Sequence, residues 1–139
     1  LGGVDPATIS ATIANGRAGV MPPMAAAVGT SEDVANVAQY VLSLSGSPHD
    51  AVKASLGKEK FAACAACHGA DGKGNHAVGA PNLTDNVWLY GWGADAIIKI
   101  VNEGKTNVMP GQARLLNADQ IHVLTAYVWG LSNKPAAAQ

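Results

Sequence analysis

Cys64-Ala65-Ala66-Cys67-His68 is the stretch in which residue types at fixed spacing dictate a covalent chemistry. In a C-x-x-C-H peptide the two thiols can add across the two vinyl groups of a haem, and the histidine that follows is held under the iron as an axial ligand. Three other chemistries use the same residue types. A thioredoxin-like dithiol needs a βαβ context, whereas strand-like runs are nearly absent and the flanking Lys58-Glu59-Lys60-Phe61-Ala62-Ala63 reads as helix. A structural zinc site needs four ligands, and with both cysteines used only His68 and distant histidines remain. A structural disulfide suits an oxidising compartment but gives no role to His68 or to the methionine discussed below.

The elements that must position this peptide belong to a chain of 139 residues and 14.1 kDa, enough for one domain or for a small domain with a substantial extra piece. Hydrophobic residues make up 48%, but alanine and glycine supply much of that and aromatics only 5%, so an all-protein core would be thin. A buried macrocycle would fill it. The net charge of −1 gives no reason to expect a nucleic-acid partner. No window reaches the roughly 18 consecutive apolar residues of a membrane span, and no basic-then-apolar signal segment opens the chain. Because the first residue is Leu1, cleavage from a longer polypeptide is expected, and an anchor could be lost with the missing part.

Residues 5–16 read as a helix, with Asp5 as cap, Pro6 in the first turn, Gly16 as exit and Ile9 and Ile13 on one face. In the loop Arg17 to Met24, Pro22 and Pro23 forbid helix and impose an extended path. Thr30 or Ser31 opens a second helix carrying Val34, Val37, Val41 and Leu44, closed by Gly46-Ser47-Pro48. A linker is expected to about Ser55, then a short helix from Gly57 to Cys67. The glycines of 69–75 require loop, and Gly79-Ala80-Pro81-Asn82-Leu83 a rigid turn. Residues 94–103 form the next helix, with Gly104 as exit, and Met109-Pro110 a loop. Asn117-x-x-Gln120 resembles a capping box for a last helix to Leu131. The alanine-rich tail after Pro135 is expected to fray.

A repeat emerges when the methionines are aligned. The Gly-to-Met interval of 16–21 reappears at 104–109, and Tyr40-Val41-x-x-Leu44 reappears as Tyr127-Val128-x-x-Leu131, one position closer. The first unit thus contains the second half of the second unit and lacks any C-x-x-C-H.

With these parts in order, the chain resembles a class I cytochrome c. More narrowly, Gly69-Ala70-Asp71-Gly72-Lys73-Gly74-Asn75 and Pro81-Asn82-Leu83-Thr84-Asp85-Asn86-x-Trp88-Leu89-Tyr90-Gly91 resemble the dihaem c-type subunit of cbb3-type cytochrome oxidases. The resemblance implies an all-α cytochrome c fold at 57–131, preceded by the C-terminal half of a related domain at 1–46, with a linker at 47–56 and a tail at 132–139. It implies one covalent haem c and electron transfer into a cbb3-type terminal oxidase, with no catalytic residue of the chain's own. A free periplasmic cytochrome c is the rival carrier, and a haem enzyme or gas sensor the rival from another class.

The roles implied are thioethers at Cys64 and Cys67, and iron ligation by His68 with its other ring nitrogen held by the Pro81 carbonyl of the Pro81-Asn82 turn. Met109 is the expected sixth ligand, since it sits in a Pro-bounded loop between two helices after the attachment motif; an isolated methionine would be read as core filler. Trp88, Tyr90 and Trp92 are expected to pack in the core and to offer an N–H or hydroxyl to a haem propionate. Phe61 is expected to cross Leu124 and Tyr127, with Gly57 letting the backbones approach. His49, His76 and His122 lack ligand spacing, although His76, in the loop beside the haem edge, could replace methionine in a misligated state. Lys58, Lys60, Lys73, Lys99 and Lys105 are solvated or rim the haem edge to orient a partner. Met21 is expected unligated, and its apolar neighbourhood covered by the second domain or by a second copy through self-association of 1–46, unless that segment is disordered. Partners are redox proteins and oxidase subunits, and haem attachment points to a periplasmic location.

Overall fold

The structure is a computed structural model that describes residues 5–133; the tail expected to fray after Pro135 lies outside them. Helix α1 (Pro6–Asn15) begins where Asp5 Oδ1 accepts from Thr8 N at 2.9 Å and ends at Gly16. Strand β1 (Gly16–Met21), a short helix α2 (Ala25–Val28) and helix α3 (Ser31–Leu44) follow. Thr30 and Asp33 cap α3 reciprocally, each side chain accepting from the other's backbone N–H. Then come α4 (Ala51–Lys60), α5 (Ala62–His68), a 3-10 turn (His76–Val78), α6 (Ala94–Glu103), strand β2 (Lys105–Pro110) and α7 (Ala118–Ser132). The capping box read at Asn117 and Gln120 opens α7.

Three local expectations change. The linker does not run to Ser55: α4 starts at Ala51, because Asp50 Oδ1 accepts from both Val52 N and Lys53 N at 3.0 Å. Residues 25–28, unassigned in the sequence, form a helical turn. The two methionine loops are both strands and pair with each other. Gly16 lies against Met109–Gly111 and Gly104 against Met21–Pro23, so the strands run antiparallel. Proline forbids helix in each loop but permits an extended path, and the repeat supplies each with a matching partner.

The chain forms two compact units, which do not follow the expected division at 46 and 57. One holds α1 and α7 with the adjoining strand halves; Ile9, Ile13 and Ile121 make its core, with Leu116 and Val128 against them. The other is Gly19–Asn107. There α3 packs against α4 and α6, burying Val34, Val37, Val41, Phe61, Cys64 and Val101 in one cluster.

Phe61 is buried as expected, but its aromatic partner is Tyr40, with ring centroids 5.2 Å apart. Leu124 and Tyr127, the expected partners, are 38% and 65% exposed. Gly57 admits a close approach by α3: a Cβ there would overlap the carbonyl oxygen of Asn36 and lie 2.7 Å from Val37 N. The apolar face of 31–44, expected to pack on the second domain or on a second copy, packs on α4 and α6, of which α6 and the end of α4 fall within the 57–131 expected for that domain. The physical reason lies in connectivity. Both closing helices carry the same Tyr-Val-x-x-Leu face, but α3 runs into α4 through the short connection 45–50, and short closures cost less entropy.

Candidate functional site

Helix α5 carries Cys64, Cys67 and His68 at i, i+3 and i+4, which places them on one side of it. Cys64 and His68 are buried, Cys67 is exposed, and both cysteines are free thiols. Burial, then the neighbouring Cys67, pushes the Cys64 thiol above its ordinary value, so at neutral pH it is a protonated thiol.

The residues after α5 build a collar for His68. Gly74 N donates to the His68 carbonyl at 2.7 Å, and Leu83 N donates to Gly72 O at 2.7 Å. Gly74, at φ 84°, allows the proline turn to close over it: a Cβ there would stand 2.6 Å from Ala80 O and 2.7 Å from Asn82 N. Asn82 Oδ1 fixes the turn by accepting from Thr84 N at 2.9 Å and Thr84 Oγ1 at 2.8 Å.

The turn aims the Pro81 carbonyl at His68 Nδ1, 3.0 Å away. A carbonyl only accepts, so Nδ1 carries the proton and donates, which leaves the lone pair on Nε2. A carbonyl partner of this kind fixes the ring and makes the free nitrogen a better metal ligand.

Of the three aromatics expected together, only Trp88 joins the core; Tyr90 and Trp92 are 46% and 61% exposed, and Tyr90 lies under Lys105 Nζ at 4.4 Å from its ring centroid. Trp88 Nε1 is buried without a hydrogen-bond partner. Met109 lies in the α1/α7 unit and is 43% exposed, whereas Met21 and Met24 pack against the cluster that holds Cys64. Gly74 and Tyr40 had no assigned part at the site, whereas Met24 was the other candidate thioether in the loop of Met21. Gly74 was legible only as one of many loop glycines, and Tyr40 only as the counterpart of Tyr127 in the repeat.

Among the described residues no group of three or more His, Cys, Asp or Glu could hold a metal by itself. A covalently held haem fits what is present: two free thiols beside a histidine whose Nε2 lone pair is available, and a buried indole N–H without an acceptor. The family described as cytochrome c oxidase, cbb3-type, subunit III matches residues 53–128. The chain belongs to the cbb3-type cytochrome c oxidase subunit III family.

It is 63% identical over 130 residues to the cbb3-type cytochrome c oxidase subunit CcoP of Rubrivivax gelatinosus, covering 94% of this chain and 43% of the relative. Against subunit FixP of Azorhizobium caulinodans it is 48% identical over 98 residues, 69% of this chain and 33% of the relative. Against FixP of Sinorhizobium medicae it is 39% identical over 141 residues, 94% of this chain and 48% of the relative. The chain thus spans less than half the length of each of these subunits. As a member of the subunit III family it carries a mostly helical cytochrome c-type domain. No helix among the described residues is long and apolar enough to cross a membrane.

Proposed function

We propose that this chain is the haem-bearing electron-transfer segment of a cbb3-type oxidase c subunit, holding one haem c. The observation that carries the reading is the His68 Nδ1 to Pro81 carbonyl hydrogen bond, which prepares Nε2 as a metal ligand beside two free thiols. Haem, when bound, supplies a one-electron ferric/ferrous couple. Cys64 and Cys67 would tether it through thioethers, their thiols adding across its two vinyl groups, and His68 Nε2 would bind the iron. Pro81, fixed by Asn82, keeps the imidazole oriented and basic, and Trp88 offers its N–H to a propionate. A methionine thioether would complete the site; Met109, implied by the resemblance, and Met21 are the two with the Gly-to-Met loop setting. A thioether favours the ferrous state and raises the potential. A haem held by His68 and a methionine would leave no site for dioxygen and would supply outer-sphere electron transfer.

On this reading residues 1–46 are the C-terminal half of a second cytochrome c-like domain of the longer subunit. The partners are a donor protein and the other oxidase subunits, and the segment works on the periplasmic face of a membrane that the longer subunit is anchored to. The test is haem content per chain after denaturation, with carbon monoxide binding by the reduced protein. One haem that stays with the polypeptide, is released by replacing Cys64 and Cys67 with alanine, and does not bind carbon monoxide at neutral pH is the expected result. A colourless protein would overturn the reading in favour of a dithiol, and tight carbon monoxide binding in favour of a haem enzyme or sensor.

A further inference from the structure

His68 and Pro81 are 13 residues apart in the chain, and Gly74 touches both. Its N–H donates to the His68 carbonyl at 2.7 Å, and it lies so close to the proline turn that a Cβ would stand 2.6 Å from the carbonyl carbon of Pro81. We infer that Gly74 is a positioning residue, whose missing side chain sets how closely the Pro81 carbonyl approaches His68 Nδ1 and so how strongly the imidazole donates to a haem iron. The inference rests on the haem reading above and concerns what governs the ligand assigned there.

Pro81 cannot hold itself in place. It has no N–H to donate, and its carbonyl is engaged by His68 Nδ1 at 3.0 Å. Its neighbours fix it instead. On one side Asn75 and Ala80 exchange both backbone hydrogen bonds at 3.0 Å, closing the chain across the turn His76–Val78. On the other, Leu83 N donates to Gly72 O at 2.7 Å. These bonds draw residues 80–83 onto residues 72–75, and Gly74 is where the two segments meet.

The meeting leaves no slack. A Cβ at Gly74 would also stand 2.6 Å from Ala80 O and 2.7 Å from Asn82 N, and backbone atoms cannot rotate aside as a side chain can. A methyl group there must lift the turn, and the bond from Nδ1 to the Pro81 carbonyl lengthens with it. A carbonyl that accepts strongly makes Nε2 more basic, which favours ferric iron. Weakening that bond favours ferrous iron, so the reduction potential rises. Water admitted by a general loosening acts in the opposite direction, because polar surroundings stabilise the more highly charged ferric centre. The sign of the shift therefore separates positioning from packing.

Backbone strain has its own control. Gly74 has φ 84° and Gly46 φ 69°, and alanine is strained at either. A Cβ at Gly46, however, meets nothing within 4 Å. Gly46→Ala thus carries the backbone strain of Gly74→Ala without the contact.

The test compares the parent, Gly74→Ala and Gly46→Ala as haem-bearing 139-residue chains. Potentiometric titration gives the reduction potential, and proton NMR of the reduced protein gives the rate at which the His68 Nδ1–H exchanges with solvent. Gly74→Ala is expected to raise the potential and to speed that exchange, while Gly46→Ala keeps the parent value of both. The inference is overturned by a Gly74→Ala protein with unchanged potential and exchange, by a potential that falls, by an equal response in Gly46→Ala, or by a Gly74→Ala chain that does not fold, which would make the residue structural alone. Absence of covalent haem from the parent overturns the haem reading itself, whereas those results on a haem-bearing parent overturn this inference and leave that reading standing.

Discussion

The Tyr40 ring stands edge-on to Phe61, with planes inclined at 67° and centroids 5.2 Å apart. The contact joins α3 to the junction of α4 and α5, where Phe61 closes one helix and opens the one that carries the cysteines. The repeat offered Tyr127 for the same contact, and Tyr127 remains 65% exposed. The contact type was foreseeable from the sequence, and its partner was not.

A double-mutant cycle separates the two pairings. Phe61→Ala should cost about 3–5 kcal/mol, the range for emptying a buried aromatic position. Tyr40→Leu and Phe61→Leu should couple by about 0.5–1.5 kcal/mol, as aromatic pairs do, while Tyr127→Leu should be additive with Phe61→Leu. Chemical denaturation of the haem-bearing protein reads all of these. Coupling at Tyr127 and additivity at Tyr40 would assign the closing role to α7.

Gly57 and Gly130 make opposite predictions from the same substitution. Alanine in a helix is ordinarily favoured over glycine by about 1 kcal/mol. At Gly130, in α7, a Cβ meets nothing within 4 Å, so Gly130→Ala should stabilise by about 0.5–1 kcal/mol. At Gly57 the Cβ would overlap the Asn36 carbonyl, so Gly57→Ala must push α3 away and should destabilise by about 1–3 kcal/mol, the usual range for overpacking. Urea midpoints that move in the same direction for both variants would refute the α3–α4 approach.

The parts of the fold that depend on local chemistry were legible. Caps at Asp5, Thr30 and Asn117, the exits at Gly16 and Gly104 and the helix at 94–103 follow from residues within a turn of each boundary. The contact between Pro81 and His68 was implied by the family resemblance, and no rule local to either residue would have paired them. Tertiary choice was not legible. Two segments with equivalent apolar faces compete for one attachment helix, and periodicity cannot rank them; the length of the connection and the fit at Gly57 do. The strands escaped for a related reason. Neither methionine loop has strand character alone, and each becomes a strand only beside the other.

Asp33 gives the α3–α4 contact a dependence on pH. The backbone and hydroxyl of Thr30, and then Lys60 at 3.3 Å on α4, hold its carboxyl below the ordinary value of 3.8. A depressed carboxyl contributes stability that is fully present above its unfolded value and is lost as pH falls through the folded one. The haem-bearing protein should therefore lose stability below about pH 4, and Asp33→Asn should be less stable at neutral pH with a shallower acid limb. Urea midpoints measured across that range check the slope. An acid limb unchanged in Asp33→Asn would place the sensitivity elsewhere.

Trp88 separates packing from a role at the haem. Its ring packs on the core while Nε1 is buried with no acceptor, and an unmet buried donor costs about 1–3 kcal/mol. A propionate of a bound haem would relieve that cost by accepting from the indole. Trp88→Phe keeps an aromatic ring and removes the donor, so the propionate would lose a compensating dipole and its negative charge would favour ferric iron. The reduction potential should fall, and potentiometric titration of parent and variant measures the shift. A variant that loses stability but keeps the parent potential would show that Trp88 serves the core alone.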